Sequence, residues 1–112
     1  MTELQQNRMT LAARILKDAF STATEGTRAT AAFDAGYLYT LIALDAPAEG
    51  EHPSRGVLED ATREFGLSGQ GIRGAKSFLE LQYSGTCVGD LLPRLLIWAQ
   101  EMKRMAEQMW GV

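Results

Sequence analysis

The first candidate for acid–base chemistry in this sequence is its single histidine. His52 lies in a loop-like stretch, between Glu51 and Pro53. With no second imidazole in the chain, a histidine-based metal site is excluded, and we assign no metal ligand. As a general base, His52 would need an arginine or another partner from a distant segment. The favoured interpretation is a loop residue or a cap at the start of a helix.

Asp34 and Tyr37 are the second candidate, one helical turn apart in the segment RATAAFDAGYLYTLIAL, residues 28–44. On a helix, Asp34 lies in line with Leu38 and Leu41, on the bulky apolar side. A carboxylate buried there needs a hydrogen bond or an ion pair, or it takes up a proton. We favour a structural role for Asp34. The alternative is a polar anchor in a pocket beside Tyr37.

Arg73 and Lys76, with Tyr83 further along the same predicted helix, are the third candidate. Two cations three residues apart share one side of a helix and could contact a phosphate group. The stretch GLSGQGIRG, residues 66–74, has the glycines of a phosphate-binding loop but lacks the preceding strand. The predicted binding residues are therefore Asp34, Tyr37, Arg73, Lys76 and Tyr83, with no catalytic residue and no cofactor.

The composition predicts one globular domain spanning residues 1–112. The chain is 46% hydrophobic and 22% charged, with a net charge of −3, which disfavours nucleic acid and anionic membranes as general partners. Cys87 is the only cysteine, so an internal disulfide is excluded and a reducing compartment is favoured. The polar N-terminal residues do not resemble a signal peptide, and no apolar run is long enough to span a membrane. We expect a cytoplasmic protein with no membrane partner.

Helical periodicity divides the chain into five segments that would position these residues. The first, about residues 3–20, places Leu4, Leu11, Ile15 and Ala19 on one predicted core face. The second begins near residues 24–27 and carries a ridge of small residues, which would let another helix approach closely: Ala29, Ala32, Gly36 and Ala43.

The remaining three helices follow a loop at residues 46–55. Pro53 is expected in the first turn of the third helix, and Gly66 at its end. Ser68 and Asp90 are the predicted caps of the fourth and fifth helices, and glycines should make the fourth irregular or late to start. No strand pattern is present. The predicted fold is all-α, a five-helix, mostly up-and-down antiparallel bundle with the second and fifth helices at its centre.

Three short motifs resemble the HEPN superfamily, the helical bundles named for nucleotide-binding domains of higher eukaryotes and prokaryotes. AAFDAGYLYTLIAL resembles the second helix of a small bacterial branch, which carries a Phe-Asp-Ala-x-Tyr core. The His-Pro pair at residues 52–53 and LQYSG at residues 81–85 fall in corresponding places. The resemblance covers most of the chain. It implies a helical bundle, a tendency to dimerise and a toxin–antitoxin-like or regulatory setting.

The ribonuclease motif of that superfamily is missing from this sequence. Active members carry an arginine and a histidine a few residues apart on a late helix, whereas no histidine follows His52 here. Phe78 and Leu79 stand where the small branch often has an arginine–asparagine pair. The predicted function is therefore a non-catalytic interaction or dimerisation module. The alternative is a degenerate HEPN-type RNA-binding protein or ribonuclease that uses His52, Arg55, Arg73 or Lys76.

The apolar surface predicts that the partner is a second copy of the chain or another protein. The stripe of the fifth helix continues to Met109 and Trp110, and Leu96 and Ile97 lie on its flanks. Methionine and tryptophan are enriched in protein interfaces. We expect a homodimer with the first or the last helix at the contact. The alternative is that these side chains cover the first helix within one monomer.

Overall fold

Helices make up the regular structure of the part of the chain described by the computed structural model, residues 2–21, 23–47, 53–84 and 89–111. No strand occurs within these ranges, and the prediction of an all-α, five-helix bundle is confirmed. The helices are α1 (Glu3–Ala19), α2 (Glu25–Ala43), α3 (Arg55–Phe65), α4 (Gln70–Ser84) and α5 (Leu92–Trp110), with a short 3-10 helix at Gly89–Leu91 before the last.

Local sequence signals determine several helix ends. At the start of α2, the Thr24 hydroxyl oxygen accepts a hydrogen bond from the backbone N–H of Thr27 at 3.3 Å. At the end of α3, Gly66 adopts the left-handed conformation with φ of 64°. This turn lets the N–H of Leu67 donate to the carbonyl of Thr62 at 3.1 Å. Both predicted boundaries are confirmed.

Three predicted helix starts were wrong. Ser54 caps α3, so Pro53 precedes the helix and is not in its first turn. The fourth helix begins at Gln70, so the residue directly before it is Gly69 and not Ser68. Asp90 does not cap α5, because residues 89–91 turn as a 3-10 helix and Leu91 takes the cap position without a side-chain hydrogen bond.

The second helix lies at the centre of the bundle and packs against α1, α3 and α5. Its small residues are buried, as predicted. At Gly36, a Cβ atom would lie 2.6 Å from ring carbons of Trp98, so only glycine lets α5 approach this closely. The central position of α2 explains why almost no side of it is polar.

Helices α2 and α5 run in the same direction. The ring of Phe33 lies 5.5 Å from that of Trp98, and further along both helices the Trp110 indole N–H donates to the carbonyl of Ile42 at 3.3 Å. Strict alternation would make the second and fifth of five helices antiparallel. The bundle is therefore mostly, but not entirely, antiparallel, as predicted.

Glycines within α4 serve packing and do not make the helix irregular, although it begins one residue later than a Ser68 cap would place it, in line with the predicted late start. The helix is continuous from Gln70. A Cβ atom on Gly71 would lie 3.0 Å from the Cα atom of Trp98, and one on Gly74 would lie 2.6 Å from the Cβ atom of Arg94. The later glycine of α4 faces the earlier residue of α5, so the two helices are antiparallel. Their close packing offsets the helix propensity lost at each glycine.

Candidate interaction site

The first helix turns two leucines towards solvent and two polar side chains towards the core. Leu4 and Leu11 are 41% and 43% exposed, whereas Gln5 and Arg8 are buried. The predicted core face of this helix was therefore right for Ala19, which is fully buried, and for Ile15, which is half-buried against the core, and wrong for the two leucines. The face that packs on α2 lies roughly a quarter turn further round the helix and consists of Gln5, Arg8, Ala12, Leu16 and Ala19.

Hydrogen bonds from the two buried polar residues hold α1 in this orientation. The Gln5 side-chain amide donates to the carboxylate of Asp45 at 2.8 Å. The Arg8 guanidinium donates to the carbonyl of Ala46 at 2.7 Å and to that of Pro47 at 2.9 Å. These partners lie about 40 residues away in sequence and two are backbone oxygens, so no local pattern could have identified them.

A second arginine joins the two helices by a hydrogen bond at their other end. The Arg28 guanidinium, near the start of α2, donates to the carbonyl of Ala19 at the end of α1 at 2.8 Å. Each helix therefore supplies an arginine to carbonyl oxygens at or beyond the end of the other, where backbone acceptors lack helical partners. The pair forms an antiparallel hairpin that is fixed at both ends.

A groove of about 560 Å³ runs between the two helices near the turn that joins them, where Ser21 and Thr27 also line it. Ile15, Asp18, Ala31 and Asp34 are among the residues that line it. By helical spacing, Leu4 and Leu11 continue the line of Ile15 and Asp18 along α1, and the half-buried Leu38 continues that of Asp34 along α2. We call this surface the hairpin face; it comprises Leu4, Leu11, Ile15, Asp18, Ala31, Asp34 and Leu38.

The position of Asp34 differs from the prediction. Its side chain is exposed at the edge of the groove and is not buried among the bulky residues of α2. No ion pair in the described ranges uses it. Although the residue as a whole is exposed, neighbouring protein atoms remove enough water from the carboxyl group to raise its pKa above the ordinary aspartate value.

We expect Asp34→Asn to increase the free energy of unfolding slightly at neutral pH. Because the folded state holds the Asp34 proton more tightly than the unfolded state, stability decreases as pH rises from the ordinary pKa through the raised one. Asparagine does not ionise and so removes this cost. The free energy of unfolding should rise by about 0.5 kcal/mol or less, because solvent screens an exposed group. Urea denaturation at several pH values checks the change.

The pH dependence supplies the internal control for this substitution. Below the ordinary aspartate pKa of 3.8, the carboxyl group is neutral in both states, so the advantage of Asp34→Asn should disappear. A carbon NMR titration of Asp34 with a midpoint at or below 3.8 would contradict the prediction.

Tyr37 does not share the groove with Asp34, so the predicted pocket beside Tyr37 was wrong. The tyrosine is buried on the α3 side of α2, and its hydroxyl oxygen accepts a hydrogen bond from the N–H of Ser54 at 2.9 Å. Its ring stacks with that of Phe33, with 6.0 Å between centroids. Tyr37 therefore positions the start of α3.

The predicted cationic pair on α4 is divided between two environments. Arg73 is exposed, whereas the Lys76 ammonium group lies 3.4 Å from the carboxylate of Glu59 on α3. Arg55 also lies 3.6 Å from Glu59 and 3.6 Å from Glu80. Two cations and two carboxylates here balance in charge, and the network stabilises the packing of α3 on α4.

The other predicted functional residues fall outside the described part of the structure. These are His52 and the side chain of Tyr83, a residue of the last turn of α4; Cys87, to which no function was assigned, also lies outside it. The other four predicted binding residues do not meet in one site, and Tyr83 stays a prediction.

The described residues contain neither a metal-binding cluster nor a membrane-spanning helix. Within the described ranges, no group of three or more histidine, cysteine, aspartate or glutamate residues could hold a metal ion. No helix in these ranges has both the length and the apolar character needed to cross a membrane. Comparisons with protein families, with curated proteins and with solved structures give no match.

Proposed function

We propose that this protein is a non-catalytic interaction module that forms a homodimer through the hairpin face. The observation that carries the proposal is the outward position of Leu4 and Leu11 on a helix that buries a glutamine and an arginine instead. Fully burying a leucine stabilises by about 1.5–3 kcal/mol. A monomer leaves much of this stabilisation unused, and a second copy would recover it.

The charges of the hairpin face, taken together with Arg14 at its edge, suit contact with an identical surface. A two-fold interface places one patch against itself, so the patch must supply both members of each pair. Asp18 and Asp34 lie in the groove, and the exposed Arg14 lies beside Leu11 on α1. No ion pair within the described ranges uses any of the three. Arg14 of one copy and the carboxylates of the other are complementary.

As part of the same proposal, the HEPN-like resemblance supports a toxin–antitoxin-like or regulatory setting for such a dimer. The alternative of a degenerate RNA-binding protein or ribonuclease has less support. Two of its candidate cations, Arg55 and Lys76, are close to glutamate carboxylates, which would compete with phosphate groups.

Leu11→Glu is expected to dissociate the homodimer. In the dimer the new carboxylate would be buried against an apolar surface, whereas in the monomer it would be solvated. Sedimentation at tens of micromolar, a range in which weak dimers form, should give twice the 12.3 kDa chain mass for the parent and the chain mass for the variant.

Ile97→Glu is the matched control, because Ile97 is 45% exposed but lies on α5. It should leave the dimer intact. A parent that sediments as a monomer would contradict the proposed function. A dimer that dissociates with Ile97→Glu but not with Leu11→Glu would show that the contact lies on the last helix and not on the hairpin face.

A further inference from the structure

A cavity of about 260 Å³ lies between α1, α2 and α5, on the flank of α1 opposite the hairpin face. It is lined by Ala13, Leu16 and Lys17 of α1, Phe20 directly after that helix, Tyr39 of α2 and Lys103 of α5. The residues that line it from α1 follow helical spacing and differ from those that form the hairpin face. Its function can therefore be tested separately from dimerisation.

The charge of this cavity is opposite to that of the whole chain. The chain carries a net charge of −3, yet two lysines and no carboxylate line the cavity. No ion pair within the described ranges uses Lys17 or Lys103. The two lysines line the cavity from different helices, α1 and α5, so their long side chains can be directed to one anion.

Tyr39 contributes a third potential donor. The residue is only 1% exposed, yet it borders the cavity. Burial, and then the negative charge of Glu107, raise the pKa of its hydroxyl group above the ordinary tyrosine value. The hydroxyl therefore stays protonated at neutral pH and can donate a hydrogen bond. All three titratable groups that line the cavity can act as donors.

Apolar side chains complete the cavity walls. Ala13 and Leu16 line it, and Phe20, 53% exposed, lies at its rim. An apolar wall with a few convergent polar groups is typical of small-molecule sites. We propose that this cavity binds a small organic monocarboxylate, with the carboxylate between Lys17 and Lys103 and the apolar body against Leu16 and Phe20.

Benzoate is a suitable probe for this site, and benzamide is its uncharged analogue of the same shape. We expect benzoate to shift the NMR signals of the Tyr39 ring in a saturable way, with a Kd on the order of millimolar for a ligand this small. Benzamide should bind at least about ten-fold more weakly, because two cations bind a carboxylate more strongly than a neutral amide. Equal affinities, or no saturable shift up to about 50 mM benzoate, would overturn the proposal.

Variants assign the binding to these residues. Removing both charges in the double variant Lys17→Met, Lys103→Met should weaken benzoate at least about ten-fold. Arg104→Met removes an exposed cation of α5 outside the cavity and should leave the affinity unchanged. Tyr39→Phe should bind several-fold more weakly and keep its helical circular dichroism spectrum. A double variant that folds and binds as the parent does would also overturn the proposal.

Discussion

Trp98→Ala is expected to lower the free energy of unfolding by about 3–5 kcal/mol. Trp98 is fully buried, and its ring packs against Phe33 and directly over Gly36. Three helices, α2, α4 and α5, meet at this side chain, so its removal leaves a cavity that no single helix can close. Urea denaturation followed by circular dichroism measures the loss.

Trp98→Phe separates the packing of this residue from its hydrogen bonding. The indole N–H of Trp98 is buried and has no hydrogen-bond partner in the part of the chain that the structure describes. Phenylalanine therefore loses ring volume but no hydrogen bond, and we expect a cost of about 1–2 kcal/mol. If Trp98→Phe were as destabilising as Trp98→Ala, the packing explanation would fail.

Arg8→Met is expected to lower the free energy of unfolding by about 2–4 kcal/mol. Methionine keeps most of the buried apolar length, but it cannot donate to the carbonyl groups of Ala46 and Pro47 or to the Gln5 side chain. Hydrogen bonds from a charged donor contribute more than neutral ones. Hydrogen exchange should also become faster near the end of α2, where Arg8 binds the backbone.

Arg14→Met is the matched control on the same helix. Arg14 is exposed, so its replacement should change stability by no more than about 0.5 kcal/mol at concentrations where the protein is monomeric. Arg8→Lys should fall between the parent and Arg8→Met, because a lysine retains the charge but lacks the forked donors of arginine. Equal stabilities of Arg8→Met and Arg14→Met would show that the buried arginine contributes nothing through its contacts.

The sequence predicted those features of the fold that depend on neighbouring residues. A polar break before a helical pattern and a glycine after an apolar stripe are local signals. They placed the start of α2 near residues 24–27, where Thr24 is the cap, and the end of α3 at Gly66. The small residues of α2 also identified it as a central helix, because close approach requires them wherever the partner lies.

The errors concern features that depend on distant partners. The leucines of α1 predict the wrong core face because Arg8 is buried by its contacts with backbone oxygens beyond the end of α2. Asp34 looked buried because the helical pattern of α2 shows no polar side, although its edge beside α1 is open to solvent. Likewise, nothing local to Lys17 or Lys103 indicates that they reach the same cavity. These placements follow from how the helices meet.

The shared direction of α2 and α5 has a consequence for folding during synthesis. Their contacts join residues far apart in sequence, and Trp110 and Ile42 are 68 positions apart. On the ribosome, α1 and α2 emerge first and can form the hairpin. The surface of α2 around Phe33 and Gly36 must then stay uncovered until α5 is released. Non-local contacts of this kind slow folding and expose apolar surface. The nascent chain is therefore a better chaperone substrate than a bundle built only from neighbouring helices.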